Sequence, residues 1–583
     1  MTGASCLCLC LLPLLACSAL EAPPPCDSQI YCYGDLLHTV QMAEIFKDSK
    51  TFVDMSLRYN TSETLAMFQK FMDENGPDPT KQQTKVFVDS TFVANDELVY
   101  SEPEDWKENP KFLERIRDGN FRQWAFELNA LWKNLSRRIS DDVKVNPHRH
   151  SILYVPNAFI IPGGRFREFY YWDTYWIANG LLLSEMNRTV KGIIGNMLHL
   201  VDEYGFVPNG GRKYYLERSQ PPMLIPMMGK YLAATSDTTF LRESFKLLEK
   251  EYYFWINNRT VDVEKNGKTY RMARYHVFSS GPRPESYRED FMTTQHLKNE
   301  VDKTTLYMNL KSGAEAGWDF SSRWFINNGT DEGTIKNLDV MNIIPVDLNA
   351  FLYKNALLLS EFSWILGNVE QSLLYMHEAK LWQEAVTDVL WNDDAGVWLD
   401  YDLKNNISRN YFYPSNVAPL WTKCYSQEDK VAVSKKVLAY LAAQNITQYA
   451  GGVPASLALT GEQWDFPNAW PPLQMLIIQG LAATEVKESQ QLAEQLARNW
   501  IRANYKGYSQ SGDMFEKYDS LIPGRYGSGG EYIVQSGFGW TNGAVLELLN
   551  MYGPTVLSSD KPTQRIRPSQ SSNTRLKGSS VTT

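Results

Sequence analysis

Cysteine is scarce in this sequence once its first 21 residues are set aside. The chain of 583 residues contains seven cysteines, and four of them lie in the amino-terminal apolar stretch. The others are Cys26, Cys32 and Cys424. So few thiols exclude a disulfide-rich scaffold, and their spacing fits no cysteine-based metal site. Cys26 and Cys32 are close enough to form a small disulfide loop in an oxidising compartment, which leaves Cys424 as a buried free thiol.

Patterns for binding metals or nucleic acids are missing as well. The seven histidines form no i, i+4 pair of the kind that holds zinc on a helix, so we expect neither a metal nor a cofactor. The 58 basic residues are outnumbered by 67 acidic ones, which gives a formal net charge of -9. This balance offers nothing to attract a phosphate backbone, so we expect no nucleic-acid partner.

The longest uncharged apolar run is confined to the amino terminus. It covers residues 6–20, is too short to cross a bilayer, and is followed by an acidic residue and three prolines. This pattern predicts a signal peptide over residues 1–21 and export through the secretory pathway. Seven Asn-x-Ser/Thr sequons favour the same route. We expect N-glycans at some of Asn60, Asn134, Asn187, Asn258, Asn328, Asn406 and Asn445.

Helical periodicity dominates the rest of the chain. Apolar residues recur at helical spacing around residues 124–135, 381–389 and 492–501, and residues 542–552 precede a helix-ending Gly-Pro pair. Alternating strand patterns are rare, and the clearest covers residues 398–402. We therefore predict an all-α protein with minor loop and short-strand elements. The stretch after residue 553 is polar throughout, so residues 554–583 are expected to form a disordered tail.

Two segments concentrate groups that suit sugar binding. Residues 162–176 read PGGRFREFYYWDTYW, and residues 463–472 read QWDFPNAWPP. Arginine donates to hydroxyl oxygens, carboxylates accept from hydroxyl groups, and aromatic rings pack on the C–H face of a sugar. The first segment would equally suit a turn that leads into an aromatic core helix. From these residues alone, both interpretations stay open.

Together, these two segments resemble the paired signatures of the trehalases, glycoside hydrolases that split α,α-trehalose into two glucoses. Other blocks that resemble the family occur over residues 208–212, 218–222, 281–286, 316–324, 515–519 and 529–532. The resemblance covers about residues 26–552. It implies an (α/α)6 toroid, in which six outer helices surround six inner ones and the substrate pocket lies at one end of the inner ring. We therefore assign residues 22–553 to one catalytic domain.

The resemblance also implies the site. Asp319 matches the general acid and Glu516 the general base of a hydrolase that acts with inversion. The residues that match sugar-binding positions are Arg165, Trp172, Asp173, Asn209, Arg218, Ser219, Gln220, Arg283, Glu285 and Gly317, and Glu531 matches a further pocket carboxylate. An aromatic wall would keep Asp319 protonated, whereas Lys517 or a pocket arginine would favour ionised Glu516. Inversion requires about 6.5–9.5 Å between the two carboxyl groups.

Two other functions are compatible with the same residues. A carbohydrate-binding toroid would recognise the sugar without cleaving it, and a disaccharide phosphorylase would hold phosphate where a hydrolase holds water. The glycine-rich stretch at residues 524–530 is either a lid over the pocket or a passive loop. Vertebrate trehalases typically end in an apolar segment that is exchanged for a glycolipid anchor. Residues 565–583 show no such run, so we expect a soluble extracellular protein.

Overall fold

The computed structural model describes residues 22–94 and 97–559, and the predicted signal peptide lies outside them. Helices dominate this part of the chain. The α-helices are α1 (Asp35–Met42), α2 (Lys50–Val53), α3 (Thr61–Asn75), α4 (Lys81–Thr91), α5 (Gly119–Leu135), α6 (Asp141–Val145), α7 (Asp173–Leu183), α8 (Asn187–Tyr204), α9 (Leu224–Thr235), α10 (Thr238–Arg259), α11 (Tyr287–Thr294), α12 (Glu300–Glu315), α13 (Val346–Ile365), α14 (Val369–Ala385), α15 (Ala418–Thr422), α16 (Lys430–Ala443), α17 (Pro471–Ala483), α18 (Lys487–Ser511) and α19 (Gly539–Tyr552).

The strands are short and form small antiparallel sheets of two or three strands within the described residues. They are β1 (Ser56–Leu57), β2 (Phe92–Val93), β3 (Leu98–Tyr100), β4 (Ser136–Ile139), β5 (Phe159–Ile160), β6 (Thr260–Lys265), β7 (Lys268–Ala273), β8 (Ile343–Ile344), β9 (Trp391–Asn392), β10 (Val397–Trp398), β11 (Tyr401–Asp402), β12 (Ile407–Ser408), β13 (Asn468–Ala469) and β14 (Tyr518–Asp519). The longest pair, β6 and β7, joins Thr260 to Ala273 at its open end.

Six helices form a closed inner ring. Helix α7 packs on α9, α9 on α13, α13 on α15, α15 on α17, α17 on α19, and α19 returns to α7. Helices α5, α8, α10, α14 and α18 pack outside this ring against inner helices, and α16 follows α15 as the sixth outer helix in chain order. This arrangement is the predicted (α/α)6 toroid, so the fold prediction is confirmed.

The inner and outer helices differ in sequence because they differ in surroundings. Inner helix α17 reads PPLQMLIIQGLAA and is buried on almost every side, whereas outer helix α18 carries a single buried stripe that includes Ala493, Leu496 and Trp500. A helix that is apolar all round requires neighbours on all sides, and a helix with one apolar stripe requires a neighbour on one side only. The pattern of hydrophobic residues therefore separates the two rings.

The packing of α7 on α19 in the inner ring depends on two glycines. A Cβ atom on Gly543 would lie 2.0 Å from the carbonyl oxygen of Trp176, and one on Gly180 would lie 2.7 Å from the Cα of Gly543. No side chain fits at either position without separating the helices. These glycines therefore allow the first and last inner helices to close the ring.

Several local predictions are confirmed. Three of the four periodic segments lie in α5, α18 and α19, and the segment at residues 381–389 begins in α14 and continues into a π-helical turn at Val386–Leu390. The expected short strand is divided between β10 and β11. Cys26 and Cys32 form a disulfide with Cα atoms 5.5 Å apart, and Cys424 is a buried free thiol. None of the described helices is long and apolar enough to cross a membrane.

The ends of the described chain are both packed. The amino-terminal helices surround a second hydrophobic cluster that includes Leu37, Phe52 and Val88. At the other end, Val556 is fully buried, and Ser558 donates from its backbone N–H and its hydroxyl to Asp118, at 3.0 and 2.9 Å. The predicted tail is thus held in place over this first part, and its residues 560–583 lie outside the described residues.

Arg323 is a buried cation that joins three parts of the toroid, and its removal should destabilise the fold. Its guanidinium donates to both carboxylate oxygens of Asp347, at 2.9 and 2.8 Å, and to both of Asp400, at 2.8 and 3.1 Å. Arg323→Met leaves two buried carboxylates without their counter-charge, a loss of about 3–5 kcal/mol. We expect a clear drop in the midpoint of thermal unfolding, measured by circular dichroism.

The matched control is Arg188→Met, because Arg188 pairs with Glu104 while both side chains are largely exposed. Exposed pairs contribute little, so this midpoint should barely change. Equal midpoints for the two variants would contradict the role given to Arg323.

Candidate active site

A cavity of about 680 Å³ lies where the inner helices begin. Asp173 is the first residue of α7, Trp470 directly precedes α17, and Phe538 directly precedes α19, and all three line the cavity. The loops that enter the inner helices therefore build the walls. Side chains from distant parts of the chain converge there because the ring brings these helix starts to one end.

All but one of the predicted site residues line this cavity. The exception is Ser219, whose side chain is fully buried beside it. The Ser219 hydroxyl donates to the carbonyl of Val207 at 2.7 Å, and its backbone N–H donates to Glu315 at 3.0 Å. These two bonds fix the backbone at Ser219 and thereby position its neighbours Arg218 and Gln220, both of which line the cavity.

The structure adds lining residues that were not assigned from the sequence. They are Lys50, Phe166, Tyr170, Tyr215, Ser286, Ala314, Trp464, Trp470, Tyr532, Phe538 and Trp540. Six of them lie inside the motif blocks described above, so the resemblance to the family could have identified them from the sequence. Lys50 was not, because it comes from α2, far from any block, and reaches the cavity while paired with Asp54 at 2.6 Å and Glu168 at 2.7 Å.

Arg165 is fixed in place by the amino-terminal region. Its guanidinium makes two bonds to the Asp48 carboxylate, at 2.7 and 2.8 Å, and lies 4.6 Å from the centre of the Tyr532 ring. Its backbone N–H donates to the side chain of Gln535 at 2.8 Å. A two-point contact of this kind orients a guanidinium as well as neutralising it. Arg165 is therefore held ready to donate into the cavity.

Arg218 and Arg283 form a second charged wall. Arg218 donates to Glu285 at 2.5 Å and lies 4.9 Å from the centre of the Tyr215 ring. Arg283 donates to Asp290 at 2.6 Å and to Glu531 at 3.0 Å. Burial raises the pKa of Glu531 to about 7, although Arg283 opposes this rise. The wall thus offers both donors and acceptors to the hydroxyl groups of a sugar.

Stacked tryptophans form another part of the site. Trp464 stacks on Trp470 with ring centres 3.9 Å apart, and on Trp318 at 5.2 Å. Trp172 lies edge-on to Trp540 at 6.0 Å. Large rigid rings exclude water and offer flat apolar faces, which suit the C–H face of a pyranose.

Asp319 lies on the loop that follows α12. Its backbone carbonyl accepts from the side chain of Gln463, and the next carbonyl, on Phe320, accepts from the N–H of Trp464 at 3.0 Å. Burial raises the pKa of the Asp319 carboxyl, and the positive charge of Arg283 only partly opposes this effect. The expected protonated acid is consistent with this environment.

Glu516 is held by hydrogen bonds to both carboxylate oxygens. Tyr532 donates its hydroxyl to Oε1 at 2.7 Å, and the backbone N–H of Gln535 donates to Oε2 at 3.2 Å. Burial raises the pKa of Glu516, and Lys517 exerts the largest opposing effect. Lys517 therefore favours the ionised form as expected, but burial outweighs it. A carboxylate with a raised pKa is the stronger base.

Asp173 is a third carboxyl in the same cavity. Burial raises its pKa well above the ordinary value, and the charges of Glu516 and Asp319 raise it further. Glu285 and Glu531 line the cavity as well, and so many carboxyl groups in one enclosed space do not all ionise easily. The site therefore favours a state in which some of these carboxyl groups are protonated and others are ionised.

Asp465 is near the site but has a structural role. It forms the third of three Trp-Asp pairs that recur every 146 residues, after Trp172-Asp173 and Trp318-Asp319. Its carboxylate accepts from the hydroxyl of Ser321 at 2.8 Å and the N–H of Ser322 at 2.7 Å. It thereby fixes the segment that follows Asp319. The three pairs do not mark equivalent positions, because only Asp173 begins an α-helix.

The glycine-rich stretch at residues 524–530 is tied to the cavity wall. Lys517 donates to the carbonyls of Ser528 and Gly529, at 3.0 and 3.2 Å, and the Ser528 N–H donates to Asn468 at 2.8 Å. The stretch leads directly into Glu531 and Tyr532, which line the cavity. Its conformation therefore positions two lining residues, and its opening as a lid stays a prediction.

Comparisons with known proteins show the family of the chain. The profile of the family described as Trehalase matches residues 44–553. The chain belongs to the trehalase family. It is 51% identical to a trehalase of Apis mellifera, over 95% of this chain and 89% of that one. It is 48% identical to a trehalase of Homo sapiens, over 95% of each chain.

A solved structure shares the fold of this trehalase-family chain. The neutral trehalase Nth1 from Saccharomyces cerevisiae superposes with a TM-score of 0.54 and 23% identity, and the match covers 67% of this chain and 73% of that one. Within residues 22–94 and 97–559, no group of three or more metal-ligating side chains comes together.

Gly317 should be intolerant of any side chain because it lies against Trp172. Its φ of +73° favours glycine, and an added Cβ would lie 2.7 Å from Cζ2 of Trp172. Gly317→Ala displaces this ring from the cavity wall. We expect kcat/KM for trehalose to fall by about tenfold or more, since small displacements of positioning groups reduce rates strongly.

Gly281→Ala is the matched control, because Gly281 has a φ of +70° and no neighbouring atom within 4 Å of an added Cβ. Gly281→Ala carries the same penalty for a side chain at positive φ, but its Cβ contacts no neighbouring group. If both variants lost the same activity, contact with Trp172 would not be the reason for glycine at position 317.

Proposed function

We propose that this chain hydrolyses α,α-trehalose to two glucoses with inversion, with Asp319 as general acid and Glu516 as general base. The proposal rests above all on one observation: both carboxyls line the same cavity in a chain of the trehalase family. A paired acid and base on opposite sides of a glycosidic bond is the arrangement that inverting glycosidases use.

Asp319 is proposed to protonate the oxygen that joins the two glucoses. Burial of its carboxyl favours the proton-carrying form needed at the start of the reaction. Once its proton is transferred, the resulting carboxylate has Arg283 and Arg218 as the nearest compensating charges. Burial therefore favours the protonated Asp319 before the proton is transferred, and the two arginines stabilise its carboxylate afterwards.

Glu516 is proposed to take a proton from the attacking water. Its two oxygens are oriented by Tyr532 and by the N–H of Gln535, so the carboxylate has a fixed direction. Lys517 lies beside it with its ammonium 5.1 Å from the centre of the Trp470 ring. The positive charge stabilises the ionised base without bonding to the oxygens that must accept the proton.

The sugar hydroxyls are proposed to bind the charged wall and the tryptophans. Arg165, Arg218 and Arg283 supply fixed donors, and Asp173, Glu285 and Glu531 supply carboxyl oxygens; all six line the cavity. Fixed groups need no reorganisation when substrate arrives, which favours tight positioning of the reacting bond.

We also propose that the protein passes through the secretory pathway, is extracellular and carries N-glycans. Six of the seven sequon asparagines are exposed, and Asn187, in the first turn of α8, is half-buried. Exposed positions are open to a bulky glycan, so the six exposed sites are favoured over Asn187.

Asp319→Asn and Glu516→Gln should each lower kcat for trehalose by about a hundredfold to ten thousandfold, because proton transfer is lost while shape is kept. Trehalose binding, measured by calorimetry, should persist in both variants. The control is Asp513→Asn, which changes an exposed carboxylate three residues before Glu516. Near-normal kcat in either test variant would refute the role proposed for that residue.

Lys517→Met should move the acidic limb of the pH profile of kcat/KM to higher pH. Lys517 lowers the pKa of Glu516, so its loss raises that pKa, and the base becomes ionised only at higher pH. Lys506→Met, which changes an exposed lysine at the end of α18, should leave the limb in place. A limb that stays or moves to lower pH in Lys517→Met would contradict the proposed coupling.

A further inference from the structure

A second cavity, of about 1300 Å³, lies between the inner helices α7, α9, α13 and α15. It is separate from the first, because no residue lines both. It is lined by α9 from Pro226 to Ala233 and by α13 from Lys354 to Ile365, together with Tyr175 of α7 and Trp421 of α15.

The walls of the second cavity are mostly apolar and contain fixed rings. Tyr175 lies edge-on to Trp421 with ring centres 5.8 Å apart, and Leu358 and Phe362 on α13 complete the wall. The indole N–H of Trp421 donates to Gln479 at 2.9 Å, which holds this ring in place. Such walls accept a flat apolar group without rearrangement.

Two lysines also line the cavity, and their surroundings differ. Lys230 lies 3.5 Å from the carboxylate of Glu547. Lys354 makes no hydrogen bond or ion pair of comparable length with any residue in the described part of the chain, although it is half-buried. Burial lowers the pKa of Lys354, and Glu361, which also lines the cavity, only partly opposes this effect. A partly buried cation without a close partner is unfavourable unless an anion binds it.

The dipole of its own helix does not remove this preference of Lys354 for an anion. Lys354 lies eleven residues before the last residue of α13, and at 1.5 Å per residue this places it about 16 Å from the negative end of the helix. Dipole effects act within the last turn. The charge on Lys354 is therefore not compensated by the carbonyl groups at the end of its own helix.

We propose that the second cavity is a binding site for a small organic anion that joins an apolar ring to one carboxylate. The carboxylate binds the ammonium group of Lys354, and the ring packs between Trp421 and the α13 side chain of Phe362. This site is independent of the reaction proposed above, because its residues do not contribute to the trehalose pocket.

The test compares two probes of similar shape, 4-phenylbutyrate and the neutral 4-phenylbutan-1-ol, by saturation-transfer NMR with the whole chain. The acid should bind at least fivefold more tightly than the alcohol. Lys354→Met keeps the aliphatic stem and removes the charge, so it should abolish this difference. Lys246→Met, which changes an exposed lysine on α10 outside the cavity, should leave it unchanged.

A second pair of variants locates the site. Ala233 and Ala234 are neighbouring exposed residues of α9, and Ala233 lines the cavity whereas Ala234 does not. Ala233→Trp should reduce binding of both probes at least tenfold, and Ala234→Trp should not. Saturating trehalose should leave probe binding unchanged.

Four results would overturn the proposal. The acid and the alcohol could bind equally, Ala233→Trp could leave binding of the acid intact, or trehalose could displace the acid. The fourth is that neither the acid nor the alcohol binds at millimolar concentration.

Discussion

The candidate active site depends on arginines that are held by carboxylates from distant parts of the chain. Arg165 pairs with Asp48 across 117 residues, and Arg283 pairs with Glu531 across 248. Loss of its partners would cost a fully buried cation such as Arg283 several kcal/mol, so this contact is stable only when its segments meet. The charged wall therefore forms together with the closed ring of helices.

The same pairing explains how one small cavity holds carboxyls with different tasks. Asp319 has arginines as its compensating charges, whereas Glu516 has Lys517 and a hydroxyl donor from Tyr532. Burial raises the pKa of both groups. The difference in role is proposed to come from position and from the donors that orient each carboxyl, more than from opposite shifts in pKa.

Much of the fold was predictable from the sequence, since the apolar residues of α5 and α18 recur at helical spacing. Periodicity did not predict the order of the ring, because contacts between α19 and α7 join opposite ends of the chain. Most residues that line the cavity lie in motif blocks that resemble the family, so they were predictable from the sequence. Lys50 was not, because its role depends on how the amino-terminal helices dock onto the toroid, and Ser219 lies in a block yet turns its hydroxyl away from the cavity.

Stereochemistry tests the central claim most directly. Inversion at one of the two α-linked carbons of trehalose releases one β-glucose, and the leaving glucose remains α. Proton NMR within the first seconds of hydrolysis, before the anomers equilibrate, should therefore show the two anomers in equal amounts. Release of α-glucose alone would indicate retention and would contradict the roles proposed for Asp319 and Glu516.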